Sequence, residues 1–485
     1  MALGNQPLKL TVSLYLRLLA LVYLCAFALL LPQLDGLYSI NGIAPVANYG
    51  LLQWVTNGGC LLSVLLFFGV AEPLVLFLLY LAYLQIVSVG QEFLSFQWDT
   101  LLLEAGFISI FLGRSRYFSF SERTTKIATI ALAWLTFRLM FSSGFVKIVS
   151  EAVSDSTWLS LTALKYHFET QPLPNPLAFF CNAQPLIVSK LACASTLAIE
   201  IVVPFFIFAG AKARLAAAVY FCLLQVAIAL TGNYGFFNFL SAVLCLSLVS
   251  DEELHSLFKA LKLDALPPLL LRINKGAQEN SDRLRRSAEK LIAYSAFLVI
   301  VFSSVISMGL TVLGRDFFSI LPEPVALGYG LCQNFGVSST YGLFAVMTRD
   351  RPELIIEGSN DDIEYKAYEF NYKIGDLHRA PPIVAPYMPR LDWQMWFEAL
   401  RAESGANPDR WFVHFLSALA QGDKSVLQLL KYNPFADTPP KYLRVKLYKY
   451  TFTKPEVLFS KGQWWQREEV GVYLHTGKLG IDKSR

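Results

Sequence analysis

Apolar stretches of about 20 residues recur through the first 313 positions of this 485-residue chain, and that repetition limits its possible folds more than any other feature. Such a run is as long as a bilayer's hydrocarbon core is thick, and so many of them cannot be hidden in one aqueous core. The composition agrees. Charged residues make up 16%, against about a quarter in soluble domains, and the mean hydropathy is +0.44. These values exclude a disordered chain, a coiled coil and a disulfide-stapled mini-protein. The net charge of +4 is too weak to indicate nucleic acid as a partner.

Reading with a window of about 20 residues predicts about nine spans. They cover 11–31, 51–70, 73–90, 97–113, 127–148, 185–209, 215–231, 236–249 and 291–313. The second and third are separated only by Ala71-Glu72, the eighth is short, and the fourth carries Asp99 and Glu104. The first is read as a retained helix, since Arg17 lies inside it and no small-residue cleavage site follows. Lys and Arg counts in alternate loops set the orientation. With a cytoplasmic N-terminus the inner segments hold fifteen and the outer ones only Lys165. Residues 1–313 thus form a transmembrane helical domain with an exoplasmic loop at 149–184. Its cytoplasmic connection at 250–290 is basic and contains an amphipathic stretch near 257–271.

After Leu313 the hydropathy falls, and 314–485 is expected to be an exoplasmic α+β domain. Strands are predicted at 352–358, 441–453 and 463–474. Residues 365–373 alternate, with Tyr368, Phe370 and Tyr372 on one face. Helices are predicted at 391–401 and 411–421, with a short third at 424–431. Five of the seven cysteines fall in spans; Cys181 and Cys332 lie on the exoplasmic side, and spacing does not settle whether they pair.

Ionisable groups at membrane depth are costly, so they are paired or functional by default. Asp99, Glu104, Arg138, Lys147 and Glu200 qualify. The structural reading ion-pairs Arg138 with Asp99 or Glu104 and lets Lys147 snorkel to the interface. The functional reading makes Lys147 a base in apolar surroundings. The loop from Trp158 to Pro176 is rich in aromatics and proline and carries His167 and Glu169. Two ligands do not make a metal site, so no metal is expected. Asn233 and Asn238 are expected to face His167 across one polar vestibule with Trp158. No P-loop, nucleophile elbow, zinc-protease or dinucleotide fingerprint occurs in a credible context, so no cofactor is expected.

Seven segments resemble the lipase maturation factor family. In the membrane region they are Phe96-Gln-Trp-Asp-Thr-Leu-Leu-Leu-Glu-Ala-Gly106, Phe137-Arg-Leu-Met-Phe-Ser-Ser-Gly144 through Pro176, and Leu230-Thr-Gly-Asn-Tyr-Gly-Phe-Phe-Asn238. In the C-terminal region they are Tyr341-Gly-Leu-Phe-Ala-Val-Met347, Arg351-Pro-Glu-Leu-Ile-Ile-Glu-Gly-Ser-Asn360, Pro389-Arg-Leu-Asp-Trp-Gln-Met-Trp-Phe397 and Asn433-Pro-Phe435. Together they cover about residues 90 to 473. One departure is Tyr387-Met388, where the family often has a histidine, so no role resting on that histidine carries over.

The resemblance implies a non-enzymatic, membrane-anchored folding and assembly factor for secreted lipases or other exported clients, in contact with membrane lipids. Animal members sit in the endoplasmic reticulum membrane; a bacterial member would occupy the inner membrane. The C-terminal domain is the part implicated in client contact. Tyr368, Phe370, Trp393, Trp396, Trp464 and Trp465 are the candidate contact residues, with core packing expected for at least half. A weaker similarity joins Phe145-Val-Lys147-Ile and Asp155-Ser-Thr-Trp158 to the vitamin K-dependent γ-carboxylases. By that match Lys147 would be the base, with His167 or Glu169 lining a quinone or lipid pocket. A shared scaffold without shared chemistry is the preferred inference from it.

Overall fold

In the computed structural model, residues 8–114, 119–149, 156–273, 283–314 and 316–476 are described. Arg116, Asp155 and part of the 250–290 connection lie outside them. The first part is helical, and its helices among the described residues include α1 (Lys9–Ala28), α2 (Tyr49–Phe67), α3 (Glu72–Val89), α4 (Gln97–Ser109), α5 (Glu122–Val149), α6 (Ala163–Thr170), α7 (Leu186–Ile201), α8 (Ala211–Thr231), α9 (Phe237–Leu244) and α10 (Arg283–Leu313). Their ends follow local chemistry. Asn48 caps α2, Pro73 opens α3 in its first turn, and Pro185 precedes α7. Ser250 and Glu253 form a reciprocal capping box on the amphipathic helix Asp251–Ala260.

Seven helical stretches among the described residues are long and apolar enough to cross a membrane. The other two expected spans are shorter: α4 has 13 residues and α9 has 8. A hydropathy window cannot separate them from true spans because their apolar residues face protein rather than lipid. Both pack against longer neighbours. At one end of α4 the Tyr83 hydroxyl donates to Asp99 at 2.6 Å, and beyond its other end the Arg114 amide donates to Glu72 at 2.8 Å. Glu72 begins α3 and Tyr83 lies near its end, so α4 returns alongside α3. Leu248, just after α9, accepts from Arg214 near the start of α8. Asp251 then accepts from the Leu10 and Thr11 amides at the start of α1.

Beyond α10, α11 (Glu323–Asn334) and the turn after it pack back on the helices. The Ser307 hydroxyl bonds Tyr329 at 3.0 Å and Ser338 at 2.7 Å. The sheet begins at Arg351. Its antiparallel strands are β1 (Arg351–Ser359), β2 (Lys366–Ala367), β3 (Tyr442–Phe452) and β4 (Trp465–Thr476), in the order β2-β1-β3-β4. The alternation at 365–373 does not form one strand. Its first half pairs with β1, and Glu369–Phe370, with a register shift between them, pairs with Leu430–Tyr432. The expected third helix stops at Leu427 because that second strand follows.

Leu354 and Ile356 face α12 (Arg390–Glu403) and α13 (Arg410–Gln421) in the main core. Ile355 faces Phe179, Tyr450 and Trp465 in a second, smaller one. The sheet is therefore covered on both sides, by its own helices and by the 163–182 segment of the helical part.

Candidate functional site

The ionisable residues singled out by depth are buried and paired. Arg138 on α5 bonds Glu104 on α4 at 2.5 and 3.3 Å, and Tyr341 donates to the same carboxylate at 2.6 Å. Of the two partners the sequence left open for Arg138, Asp99 is taken elsewhere. Arg390, the first residue of α12, reaches across the domain boundary and grips Asp99 with two nitrogens, at 2.6 and 2.9 Å. This fork-to-carboxylate geometry is the strong form of the interaction. Gln33 completes the joint by accepting from the Arg390 amide at 2.8 Å and donating to the Met388 carbonyl.

A second cluster lies nearer α7 and α8. Gly144 lets α5 and α7 approach so closely that an added Cβ would sit 2.7 Å from Glu200 and Ile201. One turn on, the Lys147 ammonium meets both Glu200 oxygens at 2.6 and 2.7 Å and lies 5.0 Å from the Trp158 ring. Lys147 is therefore held in a buried ion pair with Glu200 and does not snorkel to the interface. Beside this pair is a cavity of about 350 Å³ between α5, α7 and α8, roofed by Trp158, His167, Tyr234 and Phe344.

His167 bonds the Tyr234 hydroxyl at 3.1 Å through Nε2, while its buried Nδ1 has no partner. Burial, and then the charge of Lys147, push the imidazole down to about 4, so it is neutral at ordinary pH. Gln225 on α8 also lines the cavity, and its buried Oε1 is unpartnered.

Glu169 does not join His167. Its carboxylate turns to the sheet and accepts from the Phe452 amide at 2.8 Å, and burial raises its pKa. Asn233 is likewise not a vestibule residue. Its side chain donates to Pro382 and accepts from Val384 and Ala385, clamping a C-terminal loop onto the helices. Asn238 is buried away from the cavity lining.

The expected contact aromatics are mostly interior. Tyr368, Phe370, Trp393, Trp396 and Trp465 are buried and only Trp464 is half-exposed, so the set does not form a surface. Trp396 instead donates to the Thr170 carbonyl at 2.8 Å. None of the seven cysteines is in a disulfide, Cys181 and Cys332 included. No group of three or more metal-ligating side chains occurs among the described residues.

Sequence reasoning missed Arg390 and Arg351. Arg351 donates to the carbonyls of Glu169, Gln171 and Pro172 and pairs with Glu353 at 2.8 Å. Both arginines sit in ordinary-looking soluble segments, and no local pattern announces a partner so far away. Gln225 did carry a signal, as a lone amide inside an apolar run.

Two family models match in sequence order. The lipase maturation factor transmembrane domain matches residues 49–256, and the lipase maturation factor C-terminal domain matches 337–475. Lipase maturation factor 2 of Gallus gallus is 32% identical, over 98% of this chain and 82% of the relative. The Homo sapiens protein of that name is 31% identical over 96% and 82%. Lipase maturation factor 1 of Mus musculus is 30% identical over 95% and 85%. No solved structure matches.

Proposed function

The chain belongs to the lipase maturation factor family, and from that membership we propose a membrane-anchored factor that assists folding and assembly of an exported lipase-type client. One observation carries the reading: both family domains match, in order, and a lipase maturation factor 2 aligns over 98% of the chain. The geometry supports a platform rather than a flexible tether. The C-terminal domain is joined to the helices by Arg390 to Asp99, by Arg351 to the 169–172 carbonyls, and by Asn233 to the 382–385 loop. All three joints lie at the same end of the bundle.

The distribution of Lys and Arg supports nine traverses with the N-terminus cytoplasmic, which puts this end and the C-terminal domain on the exoplasmic side. That side is the endoplasmic reticulum lumen in a eukaryote and the periplasm in a bacterium. With five of the six expected aromatics buried, the exposed apolar side chains of the C-terminal domain, Ile363, Ile383, Phe459, Val470 and Val472 among them, are available to a client.

The test is secretion of active lipase from cells lacking the endogenous factor and complemented with this chain. Wild type should restore it, and a combined Phe459→Ser, Val470→Ser variant should restore less at equal abundance. No restoration by wild type, in a host whose own factor does restore it, overturns the reading.

A further inference from the structure

The cavity beside Lys147 has a mouth, and its position says where a ligand comes from. Ser195 on α7 and Leu223 and Ala227 on α8 both line the cavity and are exposed on the outside of the bundle. Both helices are candidate membrane spans, flanked here by the exposed Leu191 and Val226. The opening therefore faces sideways, where hydrocarbon rather than water is the surrounding solvent.

The inside is an apolar chamber with a few polar groups at its walls, the usual make-up of a small-molecule site. Most of these groups are already engaged. The Ser143 and Thr196 hydroxyls bond back to their own helices, and Lys147 and Glu200 neutralise each other. What remains is the Oε1 of Gln225, a residue only 5% exposed, and Nδ1 of His167. A buried polar atom without a partner costs about 1–3 kcal/mol, so two in one chamber point to a ligand that supplies theirs. An ionised headgroup would leave a charge uncompensated in this already neutral lining. A hydroxyl, in contrast, can donate to Oε1 and leave the balance intact.

We infer that the cavity binds a neutral, hydroxyl-bearing glycerolipid of the diacylglycerol type, which enters from the bilayer between α7 and α8. The acyl part lies against Leu139, Ile199 and Ile228, and the hydroxyl donates to Oε1 of Gln225. The inference concerns binding alone and does not depend on the maturation reading.

The test uses the full chain in nanodiscs with two photoactivatable, clickable probes of identical chains, diacylglycerol and phosphatidic acid, mapped by peptide mass spectrometry. The expected result is crosslinking of α7, α8 and the 158–168 segment by the diacylglycerol probe, several-fold above phosphatidic acid. Gln225→Leu should lower that yield about tenfold, the equivalent of one hydrogen bond. Ala227→Trp should abolish it by blocking the mouth. It changes an outward-facing position and leaves the interior intact, which protects the test against a misfolded Gln225 variant. Equal labelling by both probes overturns the inference, as does labelling indifferent to Ala227→Trp or absent from these peptides.

Discussion

Two buried polar clusters lie at the same end of this molecule, and they are built on opposite principles. At the joint between helices and C-terminal domain, Asp99 and Arg390 satisfy each other, Tyr83 and Gln33 add further bonds, and the space left beside Gln33 and Arg390 is only about 10 Å³. Around Lys147 the charges are also matched, yet a chamber of about 350 Å³ stands open and two polar atoms in it lack partners. A saturated network fixes one arrangement of its elements. An unsaturated one beside empty space keeps bonding capacity for something else.

The largest expected effect would break the first half of that contrast. Arg390→Leu leaves a buried carboxylate unmatched and should cost about 3–5 kcal/mol, read as a collapse of thermal stability in detergent. Adding Asp99→Leu should recover much of the loss. If the double variant were no better than the single, the joint would not be held by that pair. Next comes Gly144→Ala, which drives a methyl into Glu200 and Ile201 and should cost about 2 kcal/mol by spreading α5 from α7. A melting curve identical to wild type would show that this approach is not tight.

Acidity separates the two regions by sign. His167 titrates near 4 when folded and 6.5 when unfolded, so between those values the unfolded chain binds the extra proton. Stability at the cavity roof should therefore fall as pH drops from 6.5 to 4, by about 1–2 kcal/mol once partial exposure of the ring is discounted. His167→Gln should flatten that slope. In the C-terminal domain, burial pushes Asp392 up to about 6 against the Lys373 and Tyr372 amides that bond it. There the folded chain holds the extra proton, so stability is lost as pH rises from 3.8 to 6, and Asp392→Asn should remove that trend. The smallest effect runs opposite to the first. Gln225→Leu removes an orphaned acceptor and should raise the melting temperature of lipid-free protein, by the equivalent of about 1 kcal/mol. A drop of similar size would mean that Oε1 is already satisfied.

The sequence is informative where a signal is periodic or carries a large penalty. Period two located β3 to within a residue, and the cost of burying charge picked out Asp99, Glu104, Arg138, Lys147 and Glu200. Pairing was legible only where the partner lay on an adjacent antiparallel helix, as for Arg138 and Glu104. Arg390 could not be assigned to Asp99, because a contact across 291 positions leaves no local trace. The cavity was equally hidden. Residues lining a void have the same apolar types as residues filling one, and only coordinates tell packing from its absence. The aromatic residues of the C-terminal domain misled for a related reason. Tryptophan suits a core and a contact surface equally well, and the alternation that placed Tyr368 and Phe370 on one face did not say what covers it.

The Asp99–Arg390 pair also sets a timetable. A ribosome adding about 5–20 residues per second makes Arg390 roughly 15–60 s after Asp99. During that interval a carboxyl group destined for the inside of the bundle has been translated, but the cation that neutralises it has not. Until then, among the described residues, Tyr83 is the only side chain from the helical part that bonds Asp99. A chain that ends before residue 390 would lack the cation that matches this carboxylate.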